Sequence, residues 1–581
     1  MDVSCHCCSS IFRSLLLFWE PARHQPGEIV RCLPIMSTPP IHETDVLIVG
    51  AGTAGCVLAR RLVETTSARV LLIEAGPRYP AWALAAPLAG LRLRPHWSWQ
   101  HQTLPQAALN HRSIPIPMGR VVGGTSSVNA MVAAPGPPSD FDDWARLGCP
   151  GWSARDLATE LGEATLRNGG LQHAAGLPIG TPTFESPFST AFVAACVQAG
   201  LHHEQPLTGT QAQSCGVFPL FQQKGQRCST AGLLVGLERH PRFRLLTGHT
   251  VRRVLFAGQQ ATGVELQCGT RRKTVWATAG VVLSAGALQT PTLLQLSGVG
   301  PALLLRGAQI DVQLDLPEVG EGLQDHVGAP VVIRSAVPSP GRPSRWVTAA
   351  LQWLWNRSGV MTSNCCEAGC FLGPAAGLPE GEIFTHFQTR RAAQSVEMMC
   401  TLLRPASRGT VRIDPAHPAG PAWIDPGYLS EQADRDALRE LLVQARQIAA
   451  QPALREFGLQ AELLPGDQPL DEYLRAYATT CHHPVGTCRM GTDPGAVVGP
   501  DLRVHGLSRL WIADNSIAPV IPRGHTATTA LVIALRGSRL IAAQLDGEAG
   551  GSPPPHPALP RSPGGAGDPP PTDAGAAGLR G

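Results

Sequence analysis

A glycine-rich turn set directly between an apolar strand and a helix is the feature that most constrains the fold. Residues 45–49 form an apolar run typical of a buried strand, and Gly50, Gly52 and Gly55 follow with the spacing G-x-G-x-x-G. Residues 57–63 then place Val and Leu side chains on one helical face. The first glycine permits a tight turn, the second lets a pyrophosphate approach the backbone, and the third lets helix and strand pack closely. The segment predicts the strand–turn–helix unit of a dinucleotide-binding domain.

An acidic residue follows where such a unit uses one. The second predicted strand, residues 69–73, ends at Glu74, about 20 residues beyond the glycines, which is the position of a ribose hydroxyl acceptor. Strand, helix and carboxylate together favour a dinucleotide site over a purely structural strand–turn–helix. The pattern is compatible with both NAD and FAD.

Bulk properties narrow the class of protein. Of the 581 residues, 43% are hydrophobic and 16% are charged, which is typical of a globular protein with more than one domain. The net charge of +3 gives no indication of a nucleic-acid partner or an acidic membrane surface. No apolar run approaches the ~20 residues of a membrane span, so we expect no transmembrane segment.

The 16 cysteines are scattered and lack zinc-binding spacings. Two local clusters, at residues 5–8 and 365–370, are interpreted as buried or incidental thiols, with metal binding as the alternative. We therefore predict no metal site and free thiols in a reducing compartment.

Both ends of the chain differ from its body. Residues 1–40 hold one short apolar run with no basic segment before it, so we interpret them as an extension that is disordered or not native, with Met36 as a start. The predicted location is the cytoplasm; a mitochondrial presequence before Met36 is the alternative. Residues 546–581 are rich in Pro and Gly and predict a disordered tail.

Three further segments distinguish between the two cofactors. Residues 119–132 are GRVVGGTSSVNAMV, and residues 286–300 are GALQTPTLLQLSGVG. The third segment has three parts: HHPVGTCRMG at 482–491, LWIADNS at 510–516 and PRGHTAT at 522–528. In this order, they resemble the glucose–methanol–choline (GMC) oxidoreductases over about residues 45–545.

The residues of these segments also suit a flavin. Residues 119–132 offer backbone donors and small polar side chains to a ring system. Asp514 ends an apolar strand, and a helix is predicted from near Thr526, whose N-terminus would lie near the flavin.

The resemblance implies FAD, with contacts from the matching positions of this chain. These positions are Gly50, Gly52, Thr53, Ala54, Gly55, Glu74, Ala75, Val122, Gly123, Thr125, Ser126, Asn129, Ala130, Met131, Val132, Val251, Ala285, Asp514, Asn515, Thr526 and Ala527. Some family members carry, at the Val128 position, a histidine joined covalently to the flavin. Valine cannot form that bond, so we predict non-covalent FAD.

The resemblance assigns catalysis to His483 and His525. His483 precedes Pro484 and matches the active-site histidine, whereas the adjacent His482 matches a variable position. His525 matches a second histidine of some members, where choline-type members have asparagine. A histidine can accept a hydroxyl proton near neutral pH while hydride passes to flavin N5. Glu367 matches a glutamate that faces the cationic head of the substrate in choline-type members, and it is a candidate substrate contact.

The resemblance implies an α/β fold, α+β overall, in two domains. We expect a Rossmann-like FAD-binding domain from 41–150, 210–325 and 478–545. The substrate domain should have a mostly antiparallel sheet covered by helices, from 326–477 and part of 151–209.

The predicted reaction is FAD-dependent oxidation of an alcohol, by default a small primary alcohol, to an aldehyde. A hydroxynitrile lyase on the same scaffold and a non-catalytic flavin-binding protein are the alternatives. No motif distinguishes oxygen from a quinone or another carrier as electron acceptor, so oxidase and dehydrogenase both stay open.

Overall fold

The first strand and the following helix arise from the apolar run and the glycines that end it. In a computed structural model, which describes residues 42–79, 85–93, 97–164, 173–337, 346–374, 377–386 and 394–548, the strand is Glu43–Val49 and the helix is Thr53–Thr65. Val46, Leu47 and Ile48 are fully buried. A strand between two parallel neighbours is covered on both faces, which explains the uninterrupted apolar run.

This strand belongs to a seven-stranded sheet. Both of its neighbours, Val70–Glu74 and Arg271–Leu283, pair with it in parallel, so the carboxyl ends of the three strands meet at one edge. In spatial order the strands are Phe243–Thr247, Val70–Glu74, Glu43–Val49, Arg271–Leu283, Gln260–Cys268 and Thr250–Ala257, and Leu510–Ile512 also pairs in parallel with Arg271–Leu283. The last two strands of the ordered list are antiparallel to their neighbours.

A second sheet has eight strands. In spatial order they are Leu459–Leu464, Val327–Ser335, Ser395–Leu402, Gly381–His386, Ala368–Leu372, Ser214–Val217 and His202–His203, and Thr479–Thr480 also pairs with Val327–Ser335. The pairings are antiparallel except the one between the last two of the ordered strands.

Short strand pairs and helices complete the described part of the chain. The minor strands are Ser98–Gln102 with Pro115–Gly119, His173–Ala174 with Leu177–Pro178, Gln222–Gln223 with Gln226–Arg227, Val299–Gly300 with Leu314–Asp315, and a three-stranded set of Glu321–Leu323, Gly409–Arg412 and Trp423–Asp425. The α-helices are Thr53–Thr65, Pro87–Leu93, Ser139–Arg146, Ala158–Ala164, Pro187–Gln198, Gly286–Leu296, Ala302–Gly307, Trp346–Asn356, Gln432–Ala449, Pro452–Phe457, Leu470–Tyr477 and Thr526–Glu548.

Two helices fix the parts of the chain that carry the site. Helix Gln432–Ala449 buries Leu438, Leu441 and Leu442 against the eight-stranded sheet. Helix Thr526–Glu548 packs along the first helix, Thr53–Thr65, so its N-terminus lies close to the glycine-rich turn. The predicted mixed α/β class is confirmed.

Some sequence predictions concern residues outside the described ranges. The expectations for residues 1–40, including Met36 and the first cysteine cluster, lie there, as does the tail beyond Glu548. The last helix runs through Glu548 and so includes the first residues assigned to that tail. Within the described ranges, no helix has both the length and the apolar character to cross a membrane, and no group of three or more His, Cys, Asp or Glu side chains is arranged to hold a metal ion.

Candidate active site

A cavity of about 480 Å³ extends from the glycine-rich turn to the two predicted catalytic histidines. Its volume is in the usual range for ligand and cofactor sites. Both His483 and His525 line it. The predicted cofactor positions that line it are Gly50, Gly52, Thr53, Ala54, Glu74, Ala75, Thr125, Ser126, Asn129, Ala130, Val132, Val251, Ala285, Asp514, Asn515, Thr526 and Ala527. Gly55, Val122, Gly123 and Met131 belong to the same segments without lining it.

The backbone at the glycine-rich turn is too crowded for side chains. Gly50 has φ +99°, and a Cβ there would lie 2.5 Å from the carbonyl oxygen of Ser284. A Cβ on Gly55 would collide with the carbonyl oxygen of Gly50. The turn therefore leaves bare backbone facing the cavity, as close approach of a pyrophosphate requires.

Glu74 stabilises this turn through its carboxylate. Oε2 accepts the backbone N–H of Ala51 at 3.0 Å, and Oε1 accepts that of Gly76 at 2.8 Å. Burial raises the pKa of the Glu74 carboxyl to about 7, against the lowering effect of these hydrogen bonds. The predicted ribose acceptor thus lies at the cavity wall and also links the ends of the first two strands.

Asp514 lines the cavity and joins three segments of the chain there. Its Oδ2 accepts from the backbone N–H of Gly286 at 2.8 Å and from the Thr290 hydroxyl at 2.6 Å. Its Oδ1 accepts the backbone N–H of Ser516 at 2.8 Å. One carboxylate therefore fixes the start of helix Gly286–Leu296 beside the strand that Asp514 ends.

An arginine holds the loop that carries the small polar residues. Arg227 donates through Nη1 to the backbone oxygen of Asn129 at 2.7 Å and to its Oδ1 at 3.0 Å. The Asn129 Oδ1 also accepts the backbone N–H of Met131 at 3.0 Å. The loop is thus held by an arginine that does not itself line the cavity.

One buried polar atom tests whether these residues fit a bound group. Asn515 lines the cavity, and its Oδ1 is buried without a hydrogen-bond partner among the described residues. A buried acceptor in that state is costly, and a ligand with an N–H or O–H group would satisfy it. The bare glycine backbone and this acceptor together fit a ligand that has both a pyrophosphate and a hydrogen-bond donor, as FAD has.

The two histidine rings meet at the other end of the cavity. Their centroids are 5.1 Å apart, and the planes are inclined by 76°. His525 Nε2 lies 3.0 Å from Oε1 of Glu382, a carboxylate only 2% exposed. The backbone N–H of His525 donates to the carbonyl of Ala134 at 2.8 Å. His525 is therefore held at both its backbone and its ring.

His483 is held by Asp325 and His326, the two residues that directly precede strand Val327–Ser335. Asp325 Oδ1 accepts the backbone N–H of His483 at 2.7 Å, while Oδ2 accepts the hydroxyls of Tyr428 and Thr480, each at 2.5 Å. The Nδ1 atoms of His326 and His483 are 2.9 Å apart. Burial raises the pKa of Asp325 to about 6.

The sequence predictions omitted three of these residues. Asp325 and His326 directly precede strand Val327–Ser335, outside the segments that carry the resemblance, and no local motif gave them a role. Glu382 lies on strand Gly381–His386 and had no local motif.

Glu367 and His482 occupy different positions from His483 and His525. Glu367 is fully buried outside the cavity lining, and its carboxylate accepts the hydroxyls of Ser189, at 2.9 Å, and Ser363. Burial raises its pKa to about 7. His482 lines the cavity beside His483 and has φ +64°, and its backbone N–H donates to Thr480 Oγ1 at 2.7 Å.

Comparison with known proteins gives consistent matches. The N- and C-terminal family models of GMC oxidoreductases match residues 44–328 and 405–534. An oxygen-dependent choline dehydrogenase of Photobacterium profundum is 32% identical, over 86% of this chain and 92% of that protein. An alcohol dehydrogenase [acceptor] of Pseudomonas putida is 33% identical, over 86% and 96%. The crystal structure of pyridoxine 4-oxidase from Mesorbium loti is 30% identical, with a TM-score of 0.77, over 85% and 98% of the two chains.

Proposed function

The chain belongs to the GMC oxidoreductase family, whose FAD-dependent enzymes act on CH–OH donors, and on that premise we propose that it oxidises a primary alcohol to an aldehyde. The observation that carries the proposal is a pair of histidine rings, 5.1 Å apart, in the same cavity that the glycine-rich turn lines. One end of the cavity suits a pyrophosphate and the other suits a hydroxyl group.

The reaction removes a proton from the hydroxyl oxygen and a hydride from the carbon. Bound FAD supplies the hydride acceptor, N5 of its flavin. His483 accepts the hydroxyl proton, and His525, held by Glu382, contacts the same oxygen and keeps the substrate in line. Hydrogen bonds to the carboxylates of Glu382 and Asp325 hold the two histidines in place. Both carboxylates are buried, so bulk water does not compete for these bonds.

The cofactor positions of the cavity are those proposed to bind FAD, with Glu74 at the ribose and Asp514 near the diphosphate. We propose that the cofactor is dissociable, because position 128 carries a buried valine with no nucleophile to bond the flavin. Acid precipitation should therefore release all yellow colour into the supernatant. Flavin that stays with the precipitated protein would show a covalent bond elsewhere.

The two-domain division is part of the same proposal. All strands of the seven-stranded sheet lie within 41–150, 210–325 and 478–545, the ranges assigned to the FAD-binding domain. Most of the eight-stranded sheet lies within 326–477, the substrate domain with part of 151–209. The location in the cytoplasm, with the mitochondrion as alternative, is likewise a proposal.

A positively charged alcohol is a second substrate candidate, beside the small uncharged primary alcohol that the sequence predicts. Glu382 presents a buried carboxylate there, and no lysine or arginine is among the residues that line the described cavity. Glu382 is already bonded to His525, and a cationic ligand would give this carboxylate a second partner. The choline dehydrogenase relative is named for such an alcohol. Small uncharged primary alcohols are the other candidates.

The test is the visible spectrum of the purified protein, recorded without air before and after addition of alcohols. Choline should be compared with its uncharged carbon analogue, in which a tert-butyl group replaces the trimethylammonium group. Bleaching of the flavin by an alcohol supports the oxidation, and preference for choline over its analogue supports the cationic class. Reoxidation in air would identify oxygen as an acceptor, and a dye or quinone requirement would identify another carrier.

A His483→Asn variant is the matched control for this experiment. It should keep the flavin spectrum and lose flavin reduction by about 10²- to 10⁴-fold, the usual size of a general-base contribution. A bound flavin that no alcohol reduces in the unmodified protein would favour the hydroxynitrile lyase or the non-catalytic flavin protein. Cleavage of a cyanohydrin would then distinguish these two.

A further inference from the structure

A short chain of hydrogen bonds leads from a backbone carbonyl to the catalytic histidine. His326 Nε2 lies 3.0 Å from the carbonyl oxygen of Pro522, and His326 Nδ1 lies 2.9 Å from His483 Nδ1. The two rings are nearly perpendicular, at 85°, with centroids 5.1 Å apart. His326 is buried, with 1% of its surface exposed.

The direction of these bonds follows from the carbonyl at the end. A carbonyl oxygen can only accept, so His326 must carry a proton on Nε2. Burial lowers the pKa of His326 to about 3, against the raising effect of the backbone carbonyls of Pro522 and Leu403, so the ring is neutral and carries that proton alone. Its Nδ1 therefore has a lone pair and accepts a proton from the nitrogen that faces it.

We infer that His326 is a positioning residue, which holds the proton of neutral His483 on Nδ1 and thereby makes Nε2 the nitrogen that accepts the hydroxyl proton of the substrate. The assignment of the tautomer follows from the hydrogen-bond geometry together with the neutral state of the buried His326 ring. Its part in the reaction rests on the proposed function.

All protons of the proposed step can be assigned to nitrogen atoms of His326 and His483. Before the reaction, His326 has one proton, on Nε2, and His483 has one, on Nδ1. When the substrate O–H bond breaks, its proton goes to His483 Nε2, and the electrons of the C–H bond leave with the hydride. His483 then carries two protons, and its Nδ1–H still donates to His326, which stabilises the positive ring.

Other groups around the pair influence its titration. They are Asp325, which accepts the backbone N–H of His483; His525, across the cavity; Glu382, bonded to His525; and Arg404, whose charge acts on His326. Each of them stays unchanged in the variants described next, so differences among variants report on position 326.

The first measurement is nitrogen-15 NMR of the full-length, FAD-bound protein labelled in histidine. The His483→Asn variant identifies the signals of His483 by their loss. We expect a protonated Nδ1 and an unprotonated Nε2 for His483 at neutral pH. The reverse tautomer would overturn the inference. This readout needs no substrate, so it decides the tautomer even if no alcohol reduces the flavin and the proposed function fails.

The second measurement uses a matched pair of substitutions. In His326→Asn, the side-chain oxygen is bonded to Cγ, as Nδ1 is in histidine, and can still accept from His483. In His326→Gln, the amide lies one bond further out, where it can donate towards Pro522 but leaves no acceptor at the Nδ1 position. Without that acceptor nothing fixes the proton of His483 on Nδ1.

The expected result is a difference in the rate of flavin reduction. The glutamine variant should reduce flavin at least about tenfold more slowly than the unmodified enzyme, with little change in substrate Kd, because loss of the correct tautomer in a related catalytic arrangement costs up to about 10⁴-fold. The asparagine variant should regain most of the rate, and the acid limb of its pH profile should return towards that of the unmodified enzyme. Equal rates in the two flavin-loaded variants, whether high or low, would overturn the inference; if either variant loses its flavin, the NMR result decides.

Discussion

Glu367 is a carboxylate that the fold buries for structural reasons. Two serine hydroxyls donate to it, and it lies directly before strand Ala368–Leu372 without lining the cavity. Burial raises its pKa to about 7 from the usual 4.5. The folded chain therefore binds this proton more tightly than the unfolded chain, and the stability that Glu367 gives is greatest below about pH 4.5 and falls as the pH rises to about 7.

Replacing Glu367 with glutamine should remove this dependence. Glutamine accepts one serine hydroxyl and donates to the other, so the network survives without the buried charge. Relative to the unmodified protein, the Glu367→Gln variant should become more stable as the pH rises from about 5 to about 8. The difference in the free energy of unfolding should reach up to about 3 kcal/mol. Chemical denaturation at the two pH values measures this.

An exposed glutamate provides the control for Glu367→Gln. Glu456 is exposed on helix Pro452–Phe457, and Glu456→Gln removes the same charge without the burial. Its effect on stability should be small at both pH values. A loss of choline affinity in Glu367→Gln, measured separately, would support the substrate contact that the sequence predicts for this residue.

At the scale of single elements, the strand–turn–helix unit depends on glycines at fixed places. Gly55 begins the packing of helix Thr53–Thr65 against the turn, and a methyl group there would collide with the carbonyl of Gly50. That carbonyl cannot move without displacing the backbone that lines the cavity. A single methyl group on Gly55 would therefore alter the backbone that lines the cavity.

The Gly55→Ala substitution should therefore weaken flavin binding more than it lowers the stability of the folded protein. The expected outcome is purified protein with little or no flavin absorbance and a lower Tm, because the turn must shift to relieve the collision with the Gly50 carbonyl. Gly232→Ala is the matched control, because a Cβ at Gly232 has open space around it. Full flavin content in Gly55→Ala would contradict this account of the turn.

These elements also show what the sequence could predict. The strand Glu43–Val49, its turn and the next helix follow from local pattern, because apolar runs and glycine spacing act over a few residues. The family resemblance brought His483 and His525 together across the chain. Glu382 could not be found this way, since its contact with His525 depends on the register of a sheet strand 143 residues away in sequence.

At the scale of the whole molecule, the cavity is built from both sheets. Residues at the carboxyl edge of the seven-stranded sheet form one end, and Glu382, Phe384 and Met399 on the eight-stranded sheet form part of the other. A ligand that spans the cavity therefore contacts both parts of the fold. Binding to the folded state alone stabilises it in proportion to ligand concentration.

Removal of FAD should accordingly lower the apparent Tm of the whole chain. FAD at about 100 times its Kd should add about 2.7 kcal/mol to the free energy of unfolding when it is returned. Thermal melts followed by circular dichroism, with and without added FAD, measure this. NAD is the control ligand and should give no shift, and an equal shift with NAD would contradict the choice of cofactor.

The order of the site residues along the chain has a consequence for synthesis. The strand Leu510–Ile512 joins the seven-stranded sheet beside a strand made more than two hundred residues earlier, and His525 follows it directly before the last described helix. The glycine-rich turn is thus synthesised long before His525 and the lining residues Asp514, Asn515 and Thr526. A chain that ends before residue 510 lacks all of these residues, so the cavity is complete only once residues 510–530 have been made.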